Sequence, residues 1–330
     1  MKEREYSFDI LRVIAMIMVI VIHVSNVYTR SYNFIDSTSY LISLIFNTIS
    51  RVSVPIFFMI SGALLLDRNF EFKKYIKRVL KILLLIVVWD IIYLIWEYLF
   101  LGIKYDDLLH IFIEPYRAHL WFLYTLIIIY LLQPLFKIIL DKLNNTFKII
   151  LFILWLFLST LSMYNSTVSN IFTIFSSIGF FILGKYLYDY VKKEDKEAKK
   201  YVIVMIILMI LAYTESIYLN YTASNKFDMF YNLFFAYRTP FIILATFIIF
   251  KLTYLYGHDR EYNNIIIFGS NLSLGVYLIH GMFLDITTKY IDYKTVTPII
   301  GIPSFTLFIL LTSIIVVYLL RKIKYINKII

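Results

Sequence analysis

Arg12 and His23 lie eleven residues apart inside one apolar stretch of the chain. Eleven helical steps of roughly 100° return to within about 20° of the starting direction, and at about 1.5 Å per step they cover roughly 16 Å. One helix face would therefore carry a cation near its beginning and an imidazole deep inside, with the apolar Met16 and Val19 between them. An imidazole, with an unperturbed pKa of about 6.5, can take a proton from a hydroxyl near neutral pH. Asn26, one turn beyond His23, could hold the ring in one tautomer. The plainer alternative is a histidine that hydrogen-bonds a neighbouring helix. Asp9, three residues before Arg12, can pair with the cation, and that pair could be purely structural.

The helix that positions this pair must lie in a membrane. Of the 330 residues, 61% are hydrophobic and 16% charged, which leaves more apolar surface than a water-soluble fold of this length can bury. Crossing about 30 Å of hydrocarbon takes roughly 20 apolar residues, and about ten such stretches run along the chain. They cover 8–29, 40–66, 79–101, 119–136, 147–163, 171–190, 201–220, 231–251, 263–285 and 298–320. The edges around 147–163, 171–190 and 285–298 are the least sharply marked.

Lysine and arginine set the direction. They crowd into alternate connections: Lys2 and Arg4, Arg68 to Lys81, Lys137 to Lys148, Lys192 to Lys200, Lys251 to Arg260, and Arg321 to Lys328. The opposite set holds only Arg30, Lys104, Arg117, Lys226, Lys289 and Lys294. Because positive loops stay in the cytoplasm, both termini are expected there. The fold expected is an all-α integral membrane bundle, one domain over 1–330. The first stretch is too long, and lacks a small-residue cleavage site, to be a removed signal peptide. The polar connections are short, so no appended soluble domain is expected. No internal repeat of the kind that builds two-half transporters is visible. The net charge of +10 follows the loop rule and does not suggest nucleic acid. The absence of cysteine excludes disulfides, thiolate metal sites and a cysteine nucleophile. No Gly-rich phosphate loop, nucleophile elbow or His-Glu-x-x-His zinc motif occurs, so no metal is expected.

Other polar residues fall inside the spans. Arg51, near mid-membrane, must be paired or face a watery cavity. Pro55 frees backbone groups close by, and Ser61-Gly62 permits close helix approach. Arg51 could stabilise a developing oxyanion, grip a ligand, or brace the helix through Asp90, another intramembrane charge. Trp121 follows Arg117 and His119 at the outer end of the fourth span, where its face could stack on a sugar, although tryptophan at a membrane interface is commonplace. Tyr277 and His280 are three apart on the ninth span, and Arg238 precedes Pro240.

Four segments then stand out in order: FDILRVIAMIMVIVIH in the first span, VPIFFMISGALLL closing the second, HLWFLYTLIIIYLLQPLF in the fourth and SLGVYLIH in the ninth. Together they resemble the bacterial membrane acyltransferase family 3, over nearly the whole chain. Members of that family modify cell-envelope polysaccharides and related glycans, often by O-acetylation. The resemblance implies an O-acyltransferase of the cell membrane, with His23 catalytic, as base or as acyl carrier, and Arg12 its paired cation. It implies acyl-CoA, most simply acetyl-CoA, as donor on the cytoplasmic side. Arg78 and Lys81, three apart and facing one way, would join Arg12 at the phosphates of coenzyme A. Relatives carry two arginines at that spacing; lysine here is a point charge and cannot form a bidentate fork. A site for anionic lipid headgroups is the alternative for this pair.

The acceptor would be a hydroxyl of a glycan or lipid-linked sugar, reached from outside among Arg51, Ser61, Asn26, His119, Trp121, Tyr277 and His280. Many relatives carry an extracytoplasmic hydrolase-like domain. None is visible here, so the bundle would complete the transfer or pass the acyl group to a separate partner protein. A glycan transporter or exporter, and a membrane ligand-binding module without turnover, are the competing classes.

Overall fold

The computed structural model describes residues 4–67, 69–102, 115–162, 169–193, 198–258, 260–324 and 326–328. Lys2, Arg68, Lys104, Lys196 and the far edge of the 147–163 span lie outside the described residues. The described residues contain no strand. Eleven helices follow one another: α1 (Tyr6–Thr29), α2 (Ser37–Ser50), α3 (Ser53–Leu65), α4 (Phe72–Trp96), α5 (Trp121–Lys142), α6 (Asn145–Leu161), α7 (Ser169–Lys193), α8 (Val202–Phe227), α9 (Pro240–Gly257), α10 (Asn264–Tyr290) and α11 (Pro298–Arg321).

Eight segments of the described residues are long and apolar enough to cross a membrane, with α2 and α3 forming one of them. The two that fall short are α6, of 17 residues, and α7. These are two of the three places where the sequence marks its edges weakly. The reason is packing. Gly62 on α3 lies against the Phe181 backbone, and Gly184 on α7 against the Met59 backbone, so close that a Cβ on either glycine would overlap the facing chain. Polar groups of α7 are satisfied inside the bundle: Ser176 donates to Ser159 Oγ (3.3 Å), and Lys185 reaches Asp67 (2.8 Å) and Asp189 (2.6 Å). A helix buried against other helices needs small and polar residues more than apolar ones, which dilutes its hydropathy. The ten spans expected from the sequence thus become eight candidate spans among the described residues, with α6 and α7 as the difference.

Two helix boundaries differ from the sequence expectation, each for a local reason. The 40–66 span breaks at Arg51–Val52 because Pro55 has no N–H to offer the Arg51 carbonyl four residues back. The 231–251 span starts as a helix only at Pro240, where Thr239 Oγ1 accepts from Ile242 N (3.3 Å) and proline takes the first helical position. Residues before it form an irregular segment with one short turn, Leu233–Phe235.

The bundle is built around α1, which packs against α2, α3, α9, α10 and α11. Leu11, Ala15, Ile20 and Val24 are buried on it. The perimeter carries exposed apolar side chains such as Ile203, Leu211, Leu307 and Ile315, as expected of surfaces meeting lipid tails. The charged face of α1 is therefore turned into the protein.

Candidate active site

Three helices bring three imidazoles together. His23 comes from the middle of α1, His119 from the single turn Ala118–Leu120 that leads into α5, and His280 from α10. Ring centroids are 5.0 Å apart for His23–His280 and His119–His280, and 6.1 Å for His23–His119. His280 Nδ1 lies 2.6 Å from the Tyr277 carbonyl. A carbonyl only accepts, so that nitrogen carries the proton and Nε2 is left with a lone pair. His280 Nε2 and His119 Nε2 are both buried with no hydrogen-bond partner. Among the described residues, no group of three His, Asp or Glu side chains is arranged to hold a metal ion.

The turn bearing His119 is tied to α10, and the Tyr93 ring of α4 packs edge-on against the His119 ring with centroids 5.0 Å apart. Tyr277 donates its hydroxyl to the His119 carbonyl (2.5 Å), and Tyr93 donates to Leu278 O (2.8 Å) on the facing helix. Two residues earlier, Arg117 bridges Glu97 (2.6 Å) at the end of α4 and Asp285 of α10, whose second oxygen accepts from Trp96 Nε1 (3.0 Å). This clasp joins three segments directly over the histidines. Charge-assisted bonds between part-buried partners are each worth about 1.5–3 kcal/mol.

Below the clasp lies a cavity of about 430 Å³, lined by His23, Asn26, Arg30, Arg51, Trp121 and Tyr277, among others, with Val19 also in its wall. Arg30 is exposed at the outer end of α1, so the cavity runs from that surface down to the His23 ring. The imidazole is not sealed in dry packing.

The other end of the α1 face is held by Asp9, which is fully buried. Asp9 accepts from Arg12 (3.0 Å), from Arg4 (2.5 and 3.0 Å) and from Ser270 Oγ (2.6 Å). Arg12 stays 28% exposed, so it retains capacity for a second anion. Nearby, Tyr130 of α5 stands beside Ser61 of α3, within electrostatic reach of both Arg12 and Arg78. Arg78 also reaches Gln133 (3.5 Å). Lys81 is exposed on α4 beside outward-facing Leu80 and Leu84. The structure thus brings Arg12, Arg78 and Ser61 to one cytoplasmic-side cluster and leaves Lys81 at its rim. Met16, between Arg12 and His23, is packed in the apolar core.

Several sequence expectations change here. Ser61 belongs with the inner cluster and is absent from the lining of the outer cavity. Asn26 lines the cavity, but its side chain meets Thr29 (3.5 Å) and makes no hydrogen bond to the His23 ring, so it does not set the tautomer. Asp90 does not brace Arg51: it accepts from Tyr124 (2.6 Å) and from Tyr116 N (3.2 Å). Arg51 instead holds Asn47 Oδ1 through Nε (2.9 Å) and Nη2 (2.6 Å). Trp121 is turned inward, stacked on Tyr237 with ring centroids 5.8 Å apart, and is not a belt residue. Tyr237, Tyr93, Glu97 and Asp285 were not singled out by the sequence. The two acids carried a usable signal, since a carboxylate within an apolar stretch asks for a partner.

A family model described as an acyltransferase domain matches residues 5–322. No curated protein and no solved structure matches the chain. The chain belongs to acyltransferase family 3, and its apolar helices make it a multi-pass membrane acyltransferase.

Proposed function

We propose, taking that membership as premise, that the protein is an O-acyltransferase of the cell membrane, moving an acyl group, most simply acetyl, from cytoplasmic acyl-CoA to a hydroxyl of an envelope glycan or lipid-linked sugar. The observation that carries this reading is the His23 imidazole at the floor of a cavity entered from the outer end, on the same helix as Arg12 at the inner end. His23 takes the proton of the acceptor hydroxyl as its oxygen attacks the thioester carbonyl. The C–S bond then breaks and the coenzyme thiolate leaves, collecting a proton. In the alternative order the His23 ring attacks the thioester first and expels the thiolate, and the acceptor oxygen then attacks the acyl-imidazole and releases the ring.

The residues fit a CoA-type donor at the inner cluster. Arg12 and Arg78 would meet its phosphates, with Lys81 contributing from the rim. The acyl arm would follow the α1 face toward His23, and the side chain in between is Met16, unbranched and able to change rotamer. Asn26, His119, Trp121, Tyr277 and the Nε2 lone pair of His280 surround the acceptor side. Hydroxyl groups are the donors that such lone pairs need. Family membership favours this over a transporter or a binding module, and a separate partner that takes the acyl group onward is compatible with it.

The test uses purified protein in lipid nanodiscs with labelled acetyl-CoA and an envelope glycan extract. Label appearing in glycan as an ester is the expected result. Glycan flux through liposomes without any acyl donor, with no ester formed, would point to the transporter instead. Mass spectrometry of envelope glycans from cells with and without the protein identifies the acyl increment.

A further inference from the structure

A second cavity, of about 310 Å³, lies beside the first and shares Arg51, Val54, Trp121 and Tyr237 with it. Its remaining wall includes Arg238, Asn232, Ser176 and Ser177. Arg51 stands at the junction, midway along the α2–α3 span. Among the described residues its partners are neutral: the Asn47 carbonyl oxygen, and the Phe235 and Tyr237 rings, with the guanidinium carbon 4.3 and 5.8 Å from their centroids. The placement is built. Asn47 gives its NH2 to Ser25 Oγ (3.0 Å) and Ile22 O (3.4 Å), which fixes its oxygen toward Arg51.

The contrast with neighbouring cations is the argument. Arg12 has Asp9, Arg117 has Glu97 and Asp285, and Lys185 has Asp67 and Asp189. Neutral hydrogen-bond acceptors orient a guanidinium without cancelling its charge. A cation at this depth is costly unless an anion or water meets it, and here it faces two cavities. Any ligand placing a hydroxyl on His23 in the first cavity has the second within reach only past Arg51 and the Trp121–Tyr237 stack.

We infer that the acceptor is an acidic sugar, carrying a carboxylate or a phosphate that Arg51 receives at the mouth of the second cavity while a hydroxyl sits at His23. Arg238 lines the same cavity, and the stacked aromatics lie along the ring between the two groups. The inference rests on the acyl-transfer reading for its orientation, but binding tests it without any acyl donor.

The experiment measures equilibrium binding of labelled glucose, glucuronic acid and glucose 1-phosphate to the full-length protein in nanodiscs. At least one anionic probe is expected to bind about ten-fold more tightly than glucose. Preference for glucuronic acid alone assigns a carboxylate, and preference for glucose 1-phosphate alone assigns a phosphate. Arg51→Gln should abolish the preference, Arg51→Lys should keep part of it, and Arg238→Gln should reduce it. Equal binding of the three probes to the wild-type protein, or binding of none, overturns the inference, as does a preference that survives in Arg51→Gln. The wild-type comparison stands even if a variant fails to fold. Acyl transfer that never occurs, alongside an intact preference for the acidic probe, would refute the enzyme reading and leave the anion site standing.

Discussion

Arg12 and Arg51 are both guanidiniums set inside the bundle, and they are treated in opposite ways. Arg12 shares a buried carboxylate with Arg4 and Ser270 and keeps part of its own surface open. Arg51 is held by an amide and aromatic groups and faces open space. Arg12 thus starts from a carboxylate already in place, whereas Arg51 has neutral groups and room beside it. Whatever meets Arg12 joins a pair already made, whereas an anion at Arg51 would be the first negative charge beside it among the described residues.

The sharpest way to break that comparison is at His23. His23→Ala should lower acyl transfer by about 10²–10⁴-fold, while gel-filtration behaviour in detergent stays that of the wild type. An active, well-folded variant would remove the ring from the chemistry.

Next is the clasp. Arg117→Ala takes the bridging cation away from Glu97 and Asp285, and should cost roughly 2–3 kcal/mol of local stability, read as an early melting transition in detergent together with at least ten-fold slower transfer. Normal melting with normal turnover would show that the turn bearing His119 needs no such fastening.

At the inner end the expected effect is on the donor alone. Arg78→Glu should raise the KM for acyl-CoA about ten-fold with kcat little changed, and Lys81→Ala, at the exposed rim, should change it less than two-fold. Equal effects from the two would restore them as a symmetric pair. Tyr277→Phe removes one bond to the His119 carbonyl. About 1 kcal/mol, or some five-fold in rate, is expected, and the size of the drop in kcat measures how strictly that turn must be placed.

Much of this was readable from the chain alone. The Arg12–His23 face follows from helical period, and the alternation of basic loops gives the orientation. The pairing of Asp9 with Arg12 follows from their spacing. What could not be read is which helices are neighbours. His119 and His280 were each marked for their motifs, but their meeting with His23 depends on α5 and α10 packing beside α1. Asp90 and Arg51 look like partners because both are charges at depth, whereas the carboxylate faces Tyr124 and the Tyr116 amide. Tyr237 was passed over because its segment looked like the interior of a span. The capped start at Thr239 makes it a bend whose side chains enter the cavities.

The contact between α3 and α7 has a consequence for what the second chamber can admit. Ser176, Ser177 and Phe180 reach it from α7, and how far they stand from Arg51 depends on how nearly two helices can touch. Hydrogen atoms at Gly62 and Gly184 set that distance. One methyl at either position would wedge the pair apart and widen the chamber without altering any group that lines it, so ligand size is governed from a seam that no ligand meets.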